Sequence, residues 1–299
     1  MRLFIPKGAS GRPQHILLAL ALATAGFLLA GTAQAQSLLG TSHDLSATSN
    51  EGQTGATLGA GTGEICAYCH TPHGGDTSAP APLWNRNLAS VNGFDGTRYS
   101  DLNTTTLQGE EAQVGSISLA CLSCHDGVQA MDTVINAPGR GPGNTSGNNA
   151  VMTGADNTLA VIGTDLRDDH PVSIQFCGGG IDSADGVTGA ISAAANCAHG
   201  DDYNDPQTDT INGNQVWWLD TTGTAGDGTA AGGVDATRER TDIFLYSRND
   251  FVGNANVQPS VECGSCHDPH VDSPNTANEV NFMRISNEAS NVCLTCHNK

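Results

Sequence analysis

The most apolar stretch of the chain runs from Ile16 to Ala30, with Arg2, Lys7 and Arg12 ahead of it and Ala33-Gln34-Ala35 behind it. That order of basic, apolar and small residues is the pattern of a secretory signal peptide and predicts cleavage after Ala35. The stretch approaches the length of a membrane span, so an uncleaved anchor helix is the competing reading, but the small-residue cleavage pattern favours removal. No later segment is apolar for long enough to span a bilayer, so the mature chain, residues 36–299, is expected without membrane insertion. Further on, the strand-like segments are Asn214-Gln-Val-Trp-Trp-Leu-Asp220 and Asp242-Ile-Phe-Leu-Tyr-Ser-Arg248, which predict a small β-hairpin across a Gly- and Thr-rich region. A short helix is predicted from a cap at Ser118 to Asp126, ended by Gly127. Elsewhere the pattern predicts irregular chain.

Composition sharpens this picture. Only 38% of the residues are hydrophobic and 5% aromatic, against 37 glycines, which is poor material for a core in a chain of this size. Removing residues 1–35 takes away three positive charges and no negative ones, moving the formal charge from −19 to −22 and leaving 264 residues. Such acidity excludes nucleic acid and anionic membrane surfaces as partners. Something other than side chains must supply apolar bulk.

The cysteines identify it. Eight of the ten fall into Cys66-Ala-Tyr-Cys69-His70, Cys121-Leu-Ser-Cys124-His125, Cys263-Gly-Ser-Cys266-His267 and Cys293-Leu-Thr-Cys296-His297. Each is the attachment sequence of haem c. Two thiols separated by two residues reach the two vinyl groups of one porphyrin, and the adjacent His becomes the proximal iron ligand. A zinc site, an iron–sulfur cluster or a disulfide framework would leave the His after every pair unexplained. Four haems are therefore expected, with His70, His125, His267 and His297 as proximal ligands. Cys177 and Cys197 remain, and in an oxidising compartment they most simply form a disulfide.

Whether the irons exchange electrons or bind substrate depends on the sixth ligand. The mature chain offers His43, His73, His170, His199 and His270 for four open positions. His73 and His270 each follow a motif by the same spacing, in His70-Thr-Pro-His73 and His267-Asp-Pro-His270. A three-residue link stiffened by proline will not wrap around the porphyrin already held, so each is expected to ligate a neighbouring haem, pairing haem 1 with haem 2 and haem 3 with haem 4. His43 and His170 are flanked by carboxylates, Asp44 and Asp168-Asp169, that could accept the second ring N–H. They would serve haems 1 and 3, with His43, close to the mature N-terminus, reaching haem 3 of the next subunit and His170 reaching haem 1; the competing assignment has His43 closing its own haem 1 and His170 closing haem 3, leaving a monomer. His199 is a spare, and Met131, Met152 and Met283 are better read as apolar filler than as ligands. The acidic stretch Asp201 to Asp209 lacks a calcium-loop pattern and reads as solvated surface.

These elements resemble a known family, the OmcE-like, filament-forming extracellular multihaem cytochromes. The resemblance is carried by His43-Asp-Leu-Ser, Cys66 to His73, Ala81-Pro-Leu-Trp-Asn-Arg86, Cys121 to Gly127, Asp169-His170-Pro171, Val261 to His270 and Asn291 to Lys299. It implies bis-histidine haems in a continuous chain, little regular secondary structure, and identical subunits joined head to tail. The insert from about Phe176 to Val234 departs from the family pattern. The predicted fold is accordingly a multihaem cytochrome c, largely coil with a few short helices and a β-hairpin insert, wrapped around four haems. Residues 36–127 would carry haems 1 and 2, residues 128–260 the linker and insert with His170, and residues 261–299 haems 3 and 4. The expected function is extracytoplasmic electron transfer in a secreted filament at the cell surface, exchanging electrons with other redox proteins or extracellular acceptors. A soluble periplasmic shuttle is the alternative, and a haem enzyme with one open iron is a third class.

Overall fold

The computed structural model describes residue 38 and residues 41–45, 65–88, 96–137, 143–144, 151–152, 160–179, 189–190, 202–204, 206–221, 238–252, 257–270 and 282–298. The chain divides into two compact units, Met1–Gln36 and Ser37–Lys299. The expected signal peptide, and with it the anchor alternative, lies outside the described residues, as do His199 and Cys197. Among the described residues no helix is long and apolar enough to cross a membrane.

Helices are few and short: α1 (Ser116–His125), α2 (Cys263–Cys266) and α3 (Asn291–Cys296), joined by single turns of tighter helix such as Ile65–Tyr68. All four cysteine motifs begin in these turns. Helix α1 starts two residues before the predicted cap, with Gly115 as its N-cap. Ser118 is instead fully buried inside the helix, and its hydroxyl donates to Glu262 Oε2 at 2.5 Å and accepts from the Cys263 N–H at 2.9 Å. A long-range partner has overridden the local capping role. The helix ends as predicted, with Asp126 as C-cap and Gly127 in the left-handed region that glycine enters without strain.

The predicted hairpin is part of a larger object. Strands β1 (Thr133–Val134) and β2 (Gly143–Asn144) pair as a short antiparallel ladder, and β3 (Ile174–Gln175), β4 (Gly189–Ala190), β5 (Gln207–Ile211), β6 (Asn214–Leu219), β7 (Ile243–Arg248) and β8 (Gln258–Val261) form one antiparallel sheet in the order β3-β8-β7-β6-β5-β4. The predicted β6–β7 pairing is present, with Trp217 opposite Leu245 and Trp218 opposite Phe244. Strands β5 and β6 join through Asn212-Gly213, both at positive φ, which is the backbone a two-residue hairpin requires.

The sheet has two apolar faces because side chains alternate along each strand. Trp217, Leu219, Ile243 and Leu245 form a core with Phe176, Cys177 and Ile285, against which Tyr203, Val292 and Cys296 pack, so this face carries the fourth motif. The opposite face presents Phe244 between the guanidinium groups of Arg238 and Arg284, 3.6 and 3.8 Å from its ring centre. Near it, a Cβ on Gly264, inside the third motif, would collide with the Tyr246 hydroxyl and with Ile117, so only glycine fits there. A second core of Tyr68, Met131, Val134, Ala137 and Met152 lies against Cys124, and Met131 and Met152 are buried apolar filler in it. The apolar clusters are thus small and gathered at the motifs.

Candidate cofactor-binding site

In all four motifs the two cysteines lie on or at the end of a short helical segment, which Cys263 opens in the third motif and which is the end of α1 in the second. In the first, third and fourth, the carbonyl of the first Cys accepts the N–H of the motif His at 2.8, 3.0 and 2.8 Å. The same three motifs are clamped by an antiparallel tripeptide that the sequence did not reveal. Leu83-Trp84-Asn85 lies along the first: Thr71 N–H donates to Leu83 O and Asn85 N–H to Cys69 O, each at 2.8 Å, with His70 bridged to Trp84. Phe282-Met283-Arg284 repeats this on the third, where Asp268 N–H donates to Phe282 O and Arg284 N–H to Cys266 O, again at 2.8 Å, with His267 bridged to Met283. Asp202-Tyr203-Asn204 does so on the fourth, with Asn298 N–H to Asp202 O at 3.0 Å, Asn204 N–H to Cys296 O at 2.9 Å, and His297 bridged to Tyr203.

The third residue of every strap also binds a carbonyl between the two cysteines. Asn85 Nδ2 donates to Ala67 O, Arg284 Nε to Gly264 O, and Asn204 Nδ2 to Leu294 O and Thr295 O. These contacts satisfy carbonyls that a one-turn helix leaves open. The straps differ in residue type, and the fourth precedes its motif by some ninety residues of sequence, so no local signal marks them.

The second motif is built otherwise. It ends α1, the His125 carbonyl accepts the N–H groups of Ile162 and Gly163, and Ser123 O between its cysteines accepts from Arg86 Nη2 at 2.7 Å. The thiols of Cys121 and Cys263 are hydrogen-bonded to each other, and one of the pair therefore stays protonated. Cys124 lies close enough to Cys69 to raise that thiol, Cys293 close enough to Cys266, and Cys266 close enough to Cys296. Consecutive motifs are therefore neighbours in space, in chain order.

Burial pushes the Cys69 thiol up to about 12 and that of Cys266 to about 11. Neutral sulfur suits these surroundings, as in a thioether, whereas a thiolate metal ligand would not. Among the described residues no three of His, Cys, Asp and Glu converge to hold a bare ion. All eight motif cysteines are free of disulfides, and those at the two ends of the series, Cys66 and Cys293, are exposed. Cys177 is disulfide-bonded.

The histidines carry the most specific geometry. His70 Nδ1 lies 2.6 Å from Pro82 O, His125 Nδ1 2.7 Å from Ala160 O, His43 Nδ1 3.3 Å from Pro269 O, and His270 Nδ1 3.1 Å from Asp268 Oδ1. Each of these oxygens only accepts, so Nδ1 carries the hydrogen and Nε2 presents its lone pair. Moreover, the rings meet in two pairs: His70 and His270 have centroids 6.1 Å apart with planes at 18°, and His43 and His125 have centroids 6.1 Å apart with planes at 73°. With a metal–nitrogen bond of about 2.0 Å on each side and ring nitrogens roughly 1.1 Å from the ring centres, two imidazoles sharing one metal ion stand about 6.2 Å apart. At 6.1 Å the nearly parallel pair is too far apart for face contact, which needs roughly 3.5–4.0 Å between carbons. His43 is half-buried, and desolvation foremost, with His125 next, lowers it to about 4, so its ring is neutral at ordinary pH.

This arrangement differs from the sequence expectation. His270 faces the first motif of its own chain rather than the fourth, and His43 faces His125 within the chain rather than standing free for another subunit. The cause is the seam between Ser118, Glu262 and Cys263, which folds the third motif back onto the second and carries His270 to the first. The carboxylates expected beside His43 and His170 are not their ring acceptors, since His170 Nδ1 donates to Pro171 O at 3.0 Å. His73 and His170 are exposed, and neither makes a ring contact with another histidine among the described residues.

The residues fit a porphyrin on a further count. The indole N–H of Trp84, buried 5.9 Å from the His70 ring, and Nε of Arg238, on the sheet face beside the third motif, are buried without an acceptor. Buried donors are rarely left so, and porphyrin carboxylates are suitable acceptors. Comparison of the chain with protein-family models, with curated proteins and with solved structures finds no match.

Proposed function

We propose that this chain is an electron-transfer protein carrying four covalently attached haems c. The observation that carries the reading is the conjunction of four Cys-x-x-Cys-His motifs with two facing histidine pairs at the separation of a shared metal, each ring with Nε2 open. When bound, the haems supply reversible one-electron chemistry at iron. The chain's own residues do the rest. The cysteines would fix each ring, the straps hold the motif histidines of the first, third and fourth sites, and His270 and His43 would close the first two irons against exogenous ligands. The proximity of consecutive motifs would bring the four sites within reach of one another, and the exposure of Cys66 and Cys293 would leave the first and fourth accessible to donor and acceptor. His170 and His73 are the remaining described candidates for distal ligands of haems 3 and 4.

The test is spectroscopic. Protein matured in a host that attaches haem c should contain four covalent haems per chain with a low-spin spectrum, and the reduced form should not bind carbon monoxide. A different haem count ends the reading, and carbon monoxide binding to the unmodified protein would favour the haem-enzyme alternative.

We further propose that the protein acts outside the cytoplasm, and that the exposed ends favour end-to-end assembly of identical subunits over a lone periplasmic shuttle. His43 is not the donor of that contact, because it serves its own chain. His43→Ala should therefore leave any filaments at their ordinary length while one iron becomes able to bind carbon monoxide. Loss of filaments in that variant would restore the inter-subunit role expected from sequence.

A further inference from the structure

We infer that the first two sites are built electronically unequal, and that Phe282 is the positioning residue that makes them so. The inference rests on the reading of the two histidine pairs as axial ligands. What it adds is the angle between the ligand planes, 18° for His70 with His270 and 73° for His43 with His125.

The 73° angle is held from two sides. Phe282 lies face to face with the His43 ring, centroids 4.0 Å apart and planes 14° from parallel. The Pro269 carbonyl takes the ring's Nδ1–H at 3.3 Å. A face contact and an edge contact together fix rotation of the imidazole about its own axis, which a hydrogen bond alone leaves broad. Phe282 is itself immobilised: it is buried, sits at a φ of 65°, and its carbonyl accepts from Asp268 N–H in the strap of the third motif. The main chain of His43 is set by a turn in which Thr41 O accepts from Asp44 N–H at 2.9 Å and Thr41 Oγ1 from His43 N–H at 3.3 Å. Among the described residues His270 has no such stack; its side chain is 61% exposed and its Nδ1 is held by Asp268 Oδ1.

Plane angle matters because each imidazole donates π density into the iron d orbital perpendicular to its ring. Nearly parallel rings raise the same orbital, separating it from its partner and stabilising the ferric hole placed there. Crossed rings raise both orbitals about equally, leave them nearly degenerate, and remove that stabilisation of the ferric state. The His43–His125 site should therefore give a strongly anisotropic, large-gmax electron paramagnetic resonance signal and be the more easily reduced. The His70–His270 site should give an ordinary rhombic signal. One electron passing from the first site to the second then oxidises the former and reduces the latter, with no bond made or broken.

The experiment uses the full holoprotein. The haem count comes first, because a count other than four overturns the proposed function itself. With four haems present, the oxidised spectrum of His43→Ala should differ from the unmodified one by loss of a large-gmax signal, and that of His270→Ala by loss of a rhombic one. In a redox titration the signal sensitive to His43 should vanish at a higher potential than the one sensitive to His270. Phe282→Leu should shift the large-gmax signal towards the rhombic form, while Phe282→Tyr, which keeps the stacked face, should preserve it. Rhombic losses in both histidine variants, the reverse order of reduction, or a Phe282→Leu spectrum identical to the unmodified one would overturn the inference. Should Phe282→Leu lose haem, the two histidine difference spectra still decide it.

Discussion

The second motif and the fourth solve the same problem with opposite materials. The fourth lies on the six-residue α3, less than two helical turns with no buried side chain of its own, held by the Asp202-Tyr203-Asn204 strap and by Tyr203, whose ring lies 4.8 Å from that of His297. The second closes a ten-residue helix and is held by buried charge, with Arg86 donating to the carbonyls of Ser123, Ala130 and Met131 at 2.7, 2.8 and 2.7 Å. Beside it, Glu262 accepts from Ser118, Ser173, Ser260 and Arg248. The difference teaches that a motif at the end of the series can be served by backbone and a half-exposed Asn, whereas one in the middle must have every polar group satisfied internally. There, an unmet donor or acceptor costs about 1–3 kcal/mol.

The largest break in this contrast should come from Glu262→Ala. Its carboxylate is wholly buried against Arg248, 3.0 Å away, and removing it strips the acceptor from three serine hydroxyls and leaves a buried guanidinium with the half-exposed Asp250 as counter-charge and the Gln113 carbonyl as acceptor. A loss of about 3–5 kcal/mol is expected in denaturant unfolding of the holoprotein. A loss under about 1 kcal/mol, the scale of a surface pair, would show that the central seam is not held by buried charge.

Smaller, and unequal, effects are expected from the straps. Asn85→Ala removes a fully buried side chain that donates to Ala67 O and Asn136 O and accepts from Asn136 N–H, and should cost about 2–3 kcal/mol. Asn204→Ala removes bonds that reach the surface at the fourth motif and should cost about 1 kcal/mol. Equal losses in thermal unfolding would mean that burial does not grade the straps.

The smallest effect is the pH dependence of the seam. Burial, opposed by Arg248 and the serine hydroxyls, holds the Glu262 carboxyl above its ordinary 4.5. A carboxyl raised in the folded state favours folding below its unfolded value, and that contribution fades as the pH rises through the folded one. Unmodified protein should therefore gain stability relative to Glu262→Gln as the pH falls from neutral towards 4.5. A relative loss over that window would place Arg248, not desolvation, in control.

The proposed chemistry was legible without a structure, because covalent haem attachment demands a fixed local spacing and the chain carries four copies of Cys-x-x-Cys-His. The β6–β7 pairing was legible too, from aromatic and branched residues in two short runs. The Asn212-Gly213 turn, which would have added β5, stands in the sequence as a hairpin signal. The facing of His270 with His70 and of His43 with His125, the three straps, and the orientation of His43 by Phe282 were not legible. Each joins residues from distant parts of the chain through backbone hydrogen bonds and ring contacts, which place no demand on local residue order. Sequence by itself determined the number and place of the four Cys-x-x-Cys-His motifs on which the proposed function rests. Only the tertiary structure decided which histidine faces which and at what angle, because that depends on Glu262 and its partners folding the third motif onto the second.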